Sequence, residues 1–391
     1  MPDVVIVGGG VNGASTAFHL AKAGVRSVTL LERRQLGAGA SGKSGALVRC
    51  HYTNPHEARL AFESLKVFRS WGDIVGGDCG FEATGFLQVV APQYEAQLRA
   101  NVAAHQALGI NTRVIAASEV KALVPEARVD DLTVAAHEPD SGFADPNATL
   151  YGFIAAARRL GVDVRTGVEA TRVVLAGGRA AGVETSQGRI EADAVVLAPG
   201  VWASRLLAPL GLDLALVPHR AQVAVFRWPA GFSHRHPVFI DATMGAWFRP
   251  EGAAGTLIGV EMGITGTDID HLDEGVDPDY VALCRSKLAA RLPAFAEATM
   301  RGGWAGLIMM SPDERPIIDQ IPSVPGLFCM LGDSGTSFKT SPAIGRCLAE
   351  WITAGAPQLM DLSPFRLSRF AEGRPWRDAH TYGSDRLTIS R

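Results

Sequence analysis

Apolar and polar positions change rhythm along this chain, and the changes mark its elements. Val4 to Val7 is an unbroken β-branched run, the pattern of a strand buried on both faces. After a glycine-rich turn, Ala17, Leu20 and Ala21 fall on one side of a helix that Gly24 closes. Val28 to Leu31 is a second strand pattern, ending at Glu32. The stretch RRQLGAGASGKSGALVRCHYTN then has no period and predicts a long loop. Beyond residue 80, 85–91 predicts a strand, 93–108 a polar helix and 113–137 mixed short elements. Asp145 as N-cap and Pro146 at the first helical position open a helix whose apolar face is Leu150, Phe153, Ile154 and Ala157, and a strand at 162–166 follows.

Gly177-Gly178 between two strand patterns signals a hairpin, and IEADAVVLAPGVWAS predicts a strand that ends in a turn at Gly200 and returns to the first sheet. Residues 216–305, rich in aromatic and β-branched side chains, predict an antiparallel sheet with a helix near 279–291. Last, GLFCMLGDSGTSFKTSPAIGRCLAEWITAG supplies a strand, a loop of small residues and a helix begun by Ser341-Pro342. The final twenty or so residues predict a poorly anchored tail.

Chemistry enters at the first turn. Gly8-x-Gly10-x-x-Gly13 lies between a predicted strand and helix, where Gly8 makes the tight turn, Gly10 admits a pyrophosphate and Gly13 lets helix and strand pack closely. Glu32 is placed to accept hydrogen bonds from a ribose diol and to repel a 2′-phosphate. Such a motif alone is also compatible with a turn that binds nothing; strand, helix and acid together point to a dinucleotide. A nicotinamide enzyme would continue with further regular βα units, so the long small-residue loop favours FAD.

Composition narrows the class. The chain has 391 residues, 47% hydrophobic and 20% charged, with net charge −3 and no basic run, so a large core and two domains are expected, and a nucleic-acid footprint is missing. Five widely spaced cysteines without a CxxC pair fit reduced thiols. No leader and no membrane span is read, and a cytoplasmic location is expected. His234-x-His236 lacks the spacing and the acid of a hydrolytic metal site, so no metal is expected.

Taken together, the fingerprint with Glu32, GASGKSGALVR, DSGFADP (140–146), ADAVVLAPGVWA (192–203), SPDERPIID (311–319) and GDSGTSFKTSPAIG (332–345) resemble the flavoprotein amine oxidases of the D-amino-acid oxidase, glycine oxidase and sarcosine oxidase type. RCHYTNPHEARLAFESL is similar to the sarcosine oxidase β-subunit and dye-linked proline dehydrogenase branch. The resemblance implies an α/β fold: a Rossmann-type FAD-binding domain (1–80, 145–215 and 306–391) with an interleaved α+β substrate domain (81–144 and 216–305) on a mainly antiparallel sheet. It implies oxidation of the C–N bond of a small amino acid or N-alkyl amino acid by hydride transfer to flavin N5, giving an imine that hydrolyses. Implied cofactor contacts are Gly8, Gly10, Gly13, Glu32, Arg33, Ser41, Ser44, Val168, Ala198, Gly200, Trp202, Gly332, Gly335, Thr336, Ser337, Phe338 and Lys339.

Lys339 stands just ahead of a helix N-terminus, already partly positive, which is unfavourable unless an anion arrives. The resemblance supplies two: the reduced flavin and a substrate carboxylate clamped by Lys339 and Arg49, with Tyr52 touching the substrate. From the residues alone Arg49 and Lys339 read as surface or acid-paired cations and Tyr52 as packing. His51, His56 and His219 fall near pocket segments, and Trp247 and Phe248 either wall the pocket or are core. Gly306 occupies the slot of a flavin-linking cysteine, so FAD is expected to be dissociable; Leu257 or Ile258 replaces an oxygen-activating lysine, leaving O2, an electron-transfer partner or a partner subunit as acceptor. An electron-relay subunit and an oxidase of a 2-hydroxy acid or polyamine stay open as alternatives.

Overall fold

In the computed structural model, which describes residues 3–383, the Val4–Val7 run sits at the centre of a six-stranded sheet and all four residues are buried. From edge to edge its strands are Ile317–Gln320, Leu327–Leu331, Ala194–Leu197, Val4–Val7, Val28–Glu32 and Asp163–Thr166. Every pairing is parallel except the edge pair Ile317–Gln320 with Leu327–Leu331. Parallel strands need both faces covered. Helices Val11–Lys22, Pro146–Arg159 and Ser341–Ala354 cover one, and the meander Ala170–Ala176, Arg179–Thr185 and Gly188–Glu191 contributes to the core on the other. Asp145 caps its helix as expected, accepting from the Ala148 N–H at 2.7 Å.

Two glycines set the depth of this packing. A Cβ on Gly13 would lie 2.0 Å from the Gly8 carbonyl oxygen, and one on Gly345 would lie 2.3 Å from Ser15 Oγ, so the first and last helices touch almost backbone to backbone.

The second sheet has nine strands: in sequence across it run Ile264–Thr265, Val217–Arg227, Gly255–Val260, Ala246–Glu251, Val238–Asp241, Phe86–Val89, Val134–Glu138 and Arg113–Ala116, with Met300–Met310 also paired to Val217–Arg227. Only Val238–Asp241 with Phe86–Val89 is parallel. Helix Pro278–Arg291 covers one face through Tyr280, Cys284 and Leu288. Met300–Met310 runs unbroken through residue 306. The chain thus leaves the first sheet after Glu32, enters the second at Phe86, returns by Asp163, leaves again at Val217 and comes back at Ile317.

Two parts depart from the sequence expectation. The long loop ends at Asn54, whose side chain accepts from the Glu57 N–H at 2.8 Å and, with Pro55, starts the helix Pro55–Arg69, where no element was predicted. The tail is anchored as far as residue 383. Trp376 donates its backbone N–H to Asp313 at 2.9 Å, Asp378 pairs with Arg315 and Thr53, and Tyr382 bonds His51 and Asn101. Within SPDERPIID, Asp313 binds Arg369 at 2.7 Å and Arg315 binds Glu57 at 3.1 Å. Much of that motif therefore ties the tail down. The rest of the tail, 384–391, and Met1-Pro2 lie outside the described residues. All five cysteines are free and buried, and no helix among the described residues is long and apolar enough to cross a membrane.

Candidate functional site

Between the two sheets lie two adjoining cavities, of about 370 Å³ and 140 Å³, which share Val11, Asn12, Ala40, Ser41, Lys43 and Asp333 in their walls. The larger begins at the first turn. Gly8 has φ +117°, and a Cβ there would lie 2.1 Å from the Ala198 carbonyl oxygen, so only glycine fits. Gly10 meets nothing closer than Ser41 Oγ at 3.0 Å, which leaves its backbone open to the cavity. Ser41 Oγ accepts the Val11 N–H at 3.0 Å and so satisfies one of the unpaired donors of the first helix from thirty residues away. Glu32 accepts from the N–H groups of Gly9 at 2.9 Å and Arg34 at 2.8 Å.

Of the residues expected at the cofactor, Gly8, Gly10, Glu32, Arg33, Ser41, Val168, Ala198, Gly200, Trp202 and Gly332 line this larger cavity. The Arg33 guanidinium lies 4.5 Å from the Trp202 ring. Ser44, Gly335, Phe338, Lys339 and Arg49 line the smaller one. Gly13, Thr336 and Ser337 line neither. Gly13 acts in helix packing, while Thr336 and Ser337 are buried behind the loop, Thr336 Oγ1 donating to Glu57 at 3.3 Å.

The loop before the last helix has an unusual backbone. Gly332, Ser334 and Gly335 take φ of +55°, +49° and +77°, and for Ser334 this is a conformation seldom adopted by a residue with a side chain. Ser334 Oγ accepts from the Ser311 N–H at 3.1 Å and donates to the Gly332 carbonyl at 3.0 Å, holding the turn. Asp333 lines both cavities, and burial pushes its carboxyl up to about 6.

Arg49 and Lys339 are both buried and face the smaller cavity. Each leans on Tyr52, with Arg49 Cζ 4.5 Å and Lys339 Nζ 5.3 Å from the ring centroid. Lys339 Nζ donates to the Thr336 carbonyl at 3.2 Å. Tyr52 does not line the cavity that holds the two cations. It is fully buried behind them, its hydroxyl donating to the Thr336 carbonyl at 3.3 Å, and it borders a separate cavity beside tail residues Trp376 and Asp378.

The far wall comes from the second sheet. Trp247 lines the cavity, whereas its neighbour Phe248 points to the opposite face and stacks on Phe239 with centroids 4.6 Å apart. His219 also lines it, and burial holds its imidazole below the usual range. His56 instead stands against Trp376, and His51 lies in a buried cluster. His236 has both ring nitrogens bonded, to Pro237 O and Thr256 Oγ1, and His234 pairs with Glu126. Gly306 is in the wall, its hydrogen position 3.1 Å from Lys43 Cδ if a Cβ were added.

Leu257 and Ile258 are buried in the sheet and line neither cavity. The register that set them in place of a lysine is therefore corrected. An ammonium is present at the junction of the cavities nonetheless: Lys43, bonded to the Ala38 carbonyl and to Glu274, each at 2.8 Å. Sequence reasoning missed it, together with Asn12, Gln222, Trp304 and Asp333. Asn12 could have been found, since it sits inside the glycine fingerprint; Gln222 and Trp304 reach the site only through strand pairing at Gln222–Ala305 and Val223–Trp304.

Comparison with known proteins gives a consistent picture. The family described as FAD dependent oxidoreductase (DAO) matches residues 3–351. Sarcosine oxidase subunit beta of Rhodobacter capsulatus is 26% identical over 380 residues, covering 95% of this chain and 89% of that protein. Among solved structures, L-proline dehydrogenase from P. horikoshii superposes with a TM-score of 0.88 at 25% identity, over 95% of this chain and 98% of the other. Glycine oxidase from Geobacillus kaustophilus superposes with a TM-score of 0.82 at 25% identity, over 94% and 98%.

Proposed function

Because the chain belongs to the DAO family of FAD-dependent oxidoreductases and is an amine or amino-acid oxidoreductase, we propose that its substrate is a small amino acid with a secondary amine, an N-methyl or proline-like compound. The observation that carries this reading is the pair of buried cations, Arg49 and Lys339, facing one cavity that adjoins the glycine cradle. A guanidinium fork and a compact ammonium together suit a carboxylate, and at a buried site each charge-assisted bond counts for more than it would in water.

The residues present fit FAD. The Gly8 turn that a Cβ would fill, the open backbone at Gly10 and the acid Glu32 suit the diphosphate and adenosine ribose. The 332–338 turn, with a helix N-terminus behind it, suits the flavin end. FAD held there would supply the two-electron acceptor for the hydride on the carbon next to nitrogen; with a proton lost from nitrogen the C–N bond becomes an imine, which water cleaves. With Gly306 in the wall we read the attachment as dissociable, and we assign the first sheet to cofactor binding and the second to the substrate roof. Arg49 and Lys339 hold the carboxylate, Tyr52 backs both cations, Trp247 closes the roof, and neutral His219 is placed to accept a proton from the substrate ammonium.

Anaerobic titration with a panel of primary, secondary and N-methylated amino acids tests this. Bleaching is expected with secondary amines. Lys339→Met and Arg49→Lys should weaken a carboxylate inhibitor about 10- to 150-fold, the worth of one charged hydrogen bond, with FAD content unchanged. No bleaching across the panel, or unaltered inhibitor binding in both variants, overturns the reading. The relative named as a β-subunit supports a second one, in which the chain passes electrons within a hetero-oligomer; activity that appears only with a co-purifying partner would select it.

A further inference from the structure

Two residues beyond Arg49, the chain enters a polar cluster that the site above does not use. One ligand atom from each of His51, His105 and Glu138 lies within 4.8 Å of the other two, and all three side chains are at most 1% exposed. They come from three separate elements: the segment after strand Leu47–Val48, the helix Glu95–Ala107 and the end of strand Val134–Glu138.

Each carries one buried polar atom that no hydrogen bond satisfies: His51 Nδ1, His105 Nδ1 and Glu138 Oε1. Their other polar atoms are engaged. His105 Nε2 is 2.8 Å from the Tyr52 carbonyl, which can only accept, so that nitrogen carries the proton and Nδ1 keeps its lone pair. His51 Nε2 meets the Tyr382 hydroxyl at 2.7 Å, and that hydroxyl is itself fixed by Asn101. Glu138 Oε2 accepts from the Cys50 N–H at 2.9 Å and from Ser141 Oγ at 2.6 Å. Gln88, on the same sheet face as Glu138 because it opposes Ala136 while Phe86 opposes Glu138, also has both amide atoms buried without a partner. Orphaned buried atoms of this kind are costly, and ligand atoms of His51, His105 and Glu138 stand close enough together for one guest to meet all three.

We propose that His51, His105 and Glu138 bind one divalent transition-metal ion of the Zn2+ type. Two imidazoles and a carboxylate are a zinc donor set, and an ion about 2.1 Å from each needs ligand separations near 3.4 Å, within reach of side-chain movements under about an ångström. With His51 Nε2–H donating to the Tyr382 hydroxyl and His105 Nε2–H to the Tyr52 carbonyl, the Nδ1 atoms of both rings offer lone pairs, and the ion offsets the burial of the Glu138 carboxylate. The ion cross-links the segment that carries Arg49 to the helix and strand beside it. Its work is positional: it sets where the guanidinium stands.

Tag-free, FAD-loaded protein stripped with a chelator and then dialysed against Zn2+ should retain one ion per chain by elemental analysis. Zn2+ should raise its melting temperature. Co2+ in its place should give absorption between about 550 and 650 nm, clear of flavin bands, consistent with tetrahedral coordination. Glu138→Gln and, as a second variant against misfolding, His51→Gln should weaken Zn2+ by about tenfold or more and lose the thermal shift. Retention below about 0.1 ion per chain in the unmodified protein, meaning that water alone fills the cluster, overturns the proposal. So does zinc binding that both folded variants keep at full strength.

Discussion

Gly259→Ala is the sharpest probe of the roof. Gly259 pairs directly with Trp247 across the sheet, and a Cβ at 259 would lie 2.4 to 2.6 Å from Cε2, Cζ2 and Nε1 of the indole. Ordinary carbon contacts begin about 1 Å farther out, so the ring must shift by roughly that much. It cannot slide along its length, because Gly45 already crowds the other end: a Cβ there would be 2.2 Å from Cη2. The cavity that Trp247 lines is the open side. Forcing the ring into the cavity costs about 1–3 kcal/mol, the usual range for overpacking, and when that cost falls on ligand binding it becomes roughly a 5- to 150-fold loss of affinity. Titration of a simple carboxylate, followed by the change in flavin absorbance, measures this directly. Adding Trp247→Phe to Gly259→Ala should restore part of the loss, as a double-mutant cycle would report. Unchanged affinity in a folded, FAD-replete Gly259→Ala protein would refute the claim that the indole is wedged against the ligand space.

Two other outcomes follow from the same geometry. Gly345→Ala puts a methyl 2.3 Å from Ser15 Oγ and 2.6 Å from the Ser15 carbonyl carbon; because backbone cannot step aside, we expect destabilisation of about 3 kcal/mol in urea unfolding, and a wild-type midpoint would contradict the close helix contact. Asp333, held up to about 6, is neutral below that pH and anionic above it; a negative charge beside the flavin opposes electron uptake, so the reduction potential should fall more steeply as pH rises through about 6. Asp333→Asn should remove that extra slope, and parallel curves for the two proteins between pH 5 and 8 would count against it.

Much of this molecule could be read from local sequence. The fingerprint strand, turn and helix, the cap at Asp145, the hairpin at Gly177-Gly178 and the helix near 279–291 all announce themselves within a few residues, because propensity and capping act at that range. The cavity walls were legible where they follow the chain, at Gly8, Gly10 and Glu32 and again at Gly332, Gly335, Phe338 and Lys339. What failed depends on partners far away in sequence. The tail through residue 383 looked loose because its anchors, Asp313, Arg315, Thr53 and His51, belong to other elements. Tyr52 matched a motif at the substrate, yet only packing shows it standing behind both cations. Lys43 lay in plain view in the loop, but its place at the junction is set by Glu274 and Gly306. The helix Pro55–Arg69 had a cap signal in Asn54-Pro55 with Glu57 three residues on, but those residues were read as the end of the long loop.

The route of the backbone has a mechanical consequence. Four strands of connection tie one sheet to the other, at 33–85, 139–162, 198–216 and 311–316, so the cleft is stitched at several points instead of hanging on one hinge. A clamshell opening would have to strain all of them together.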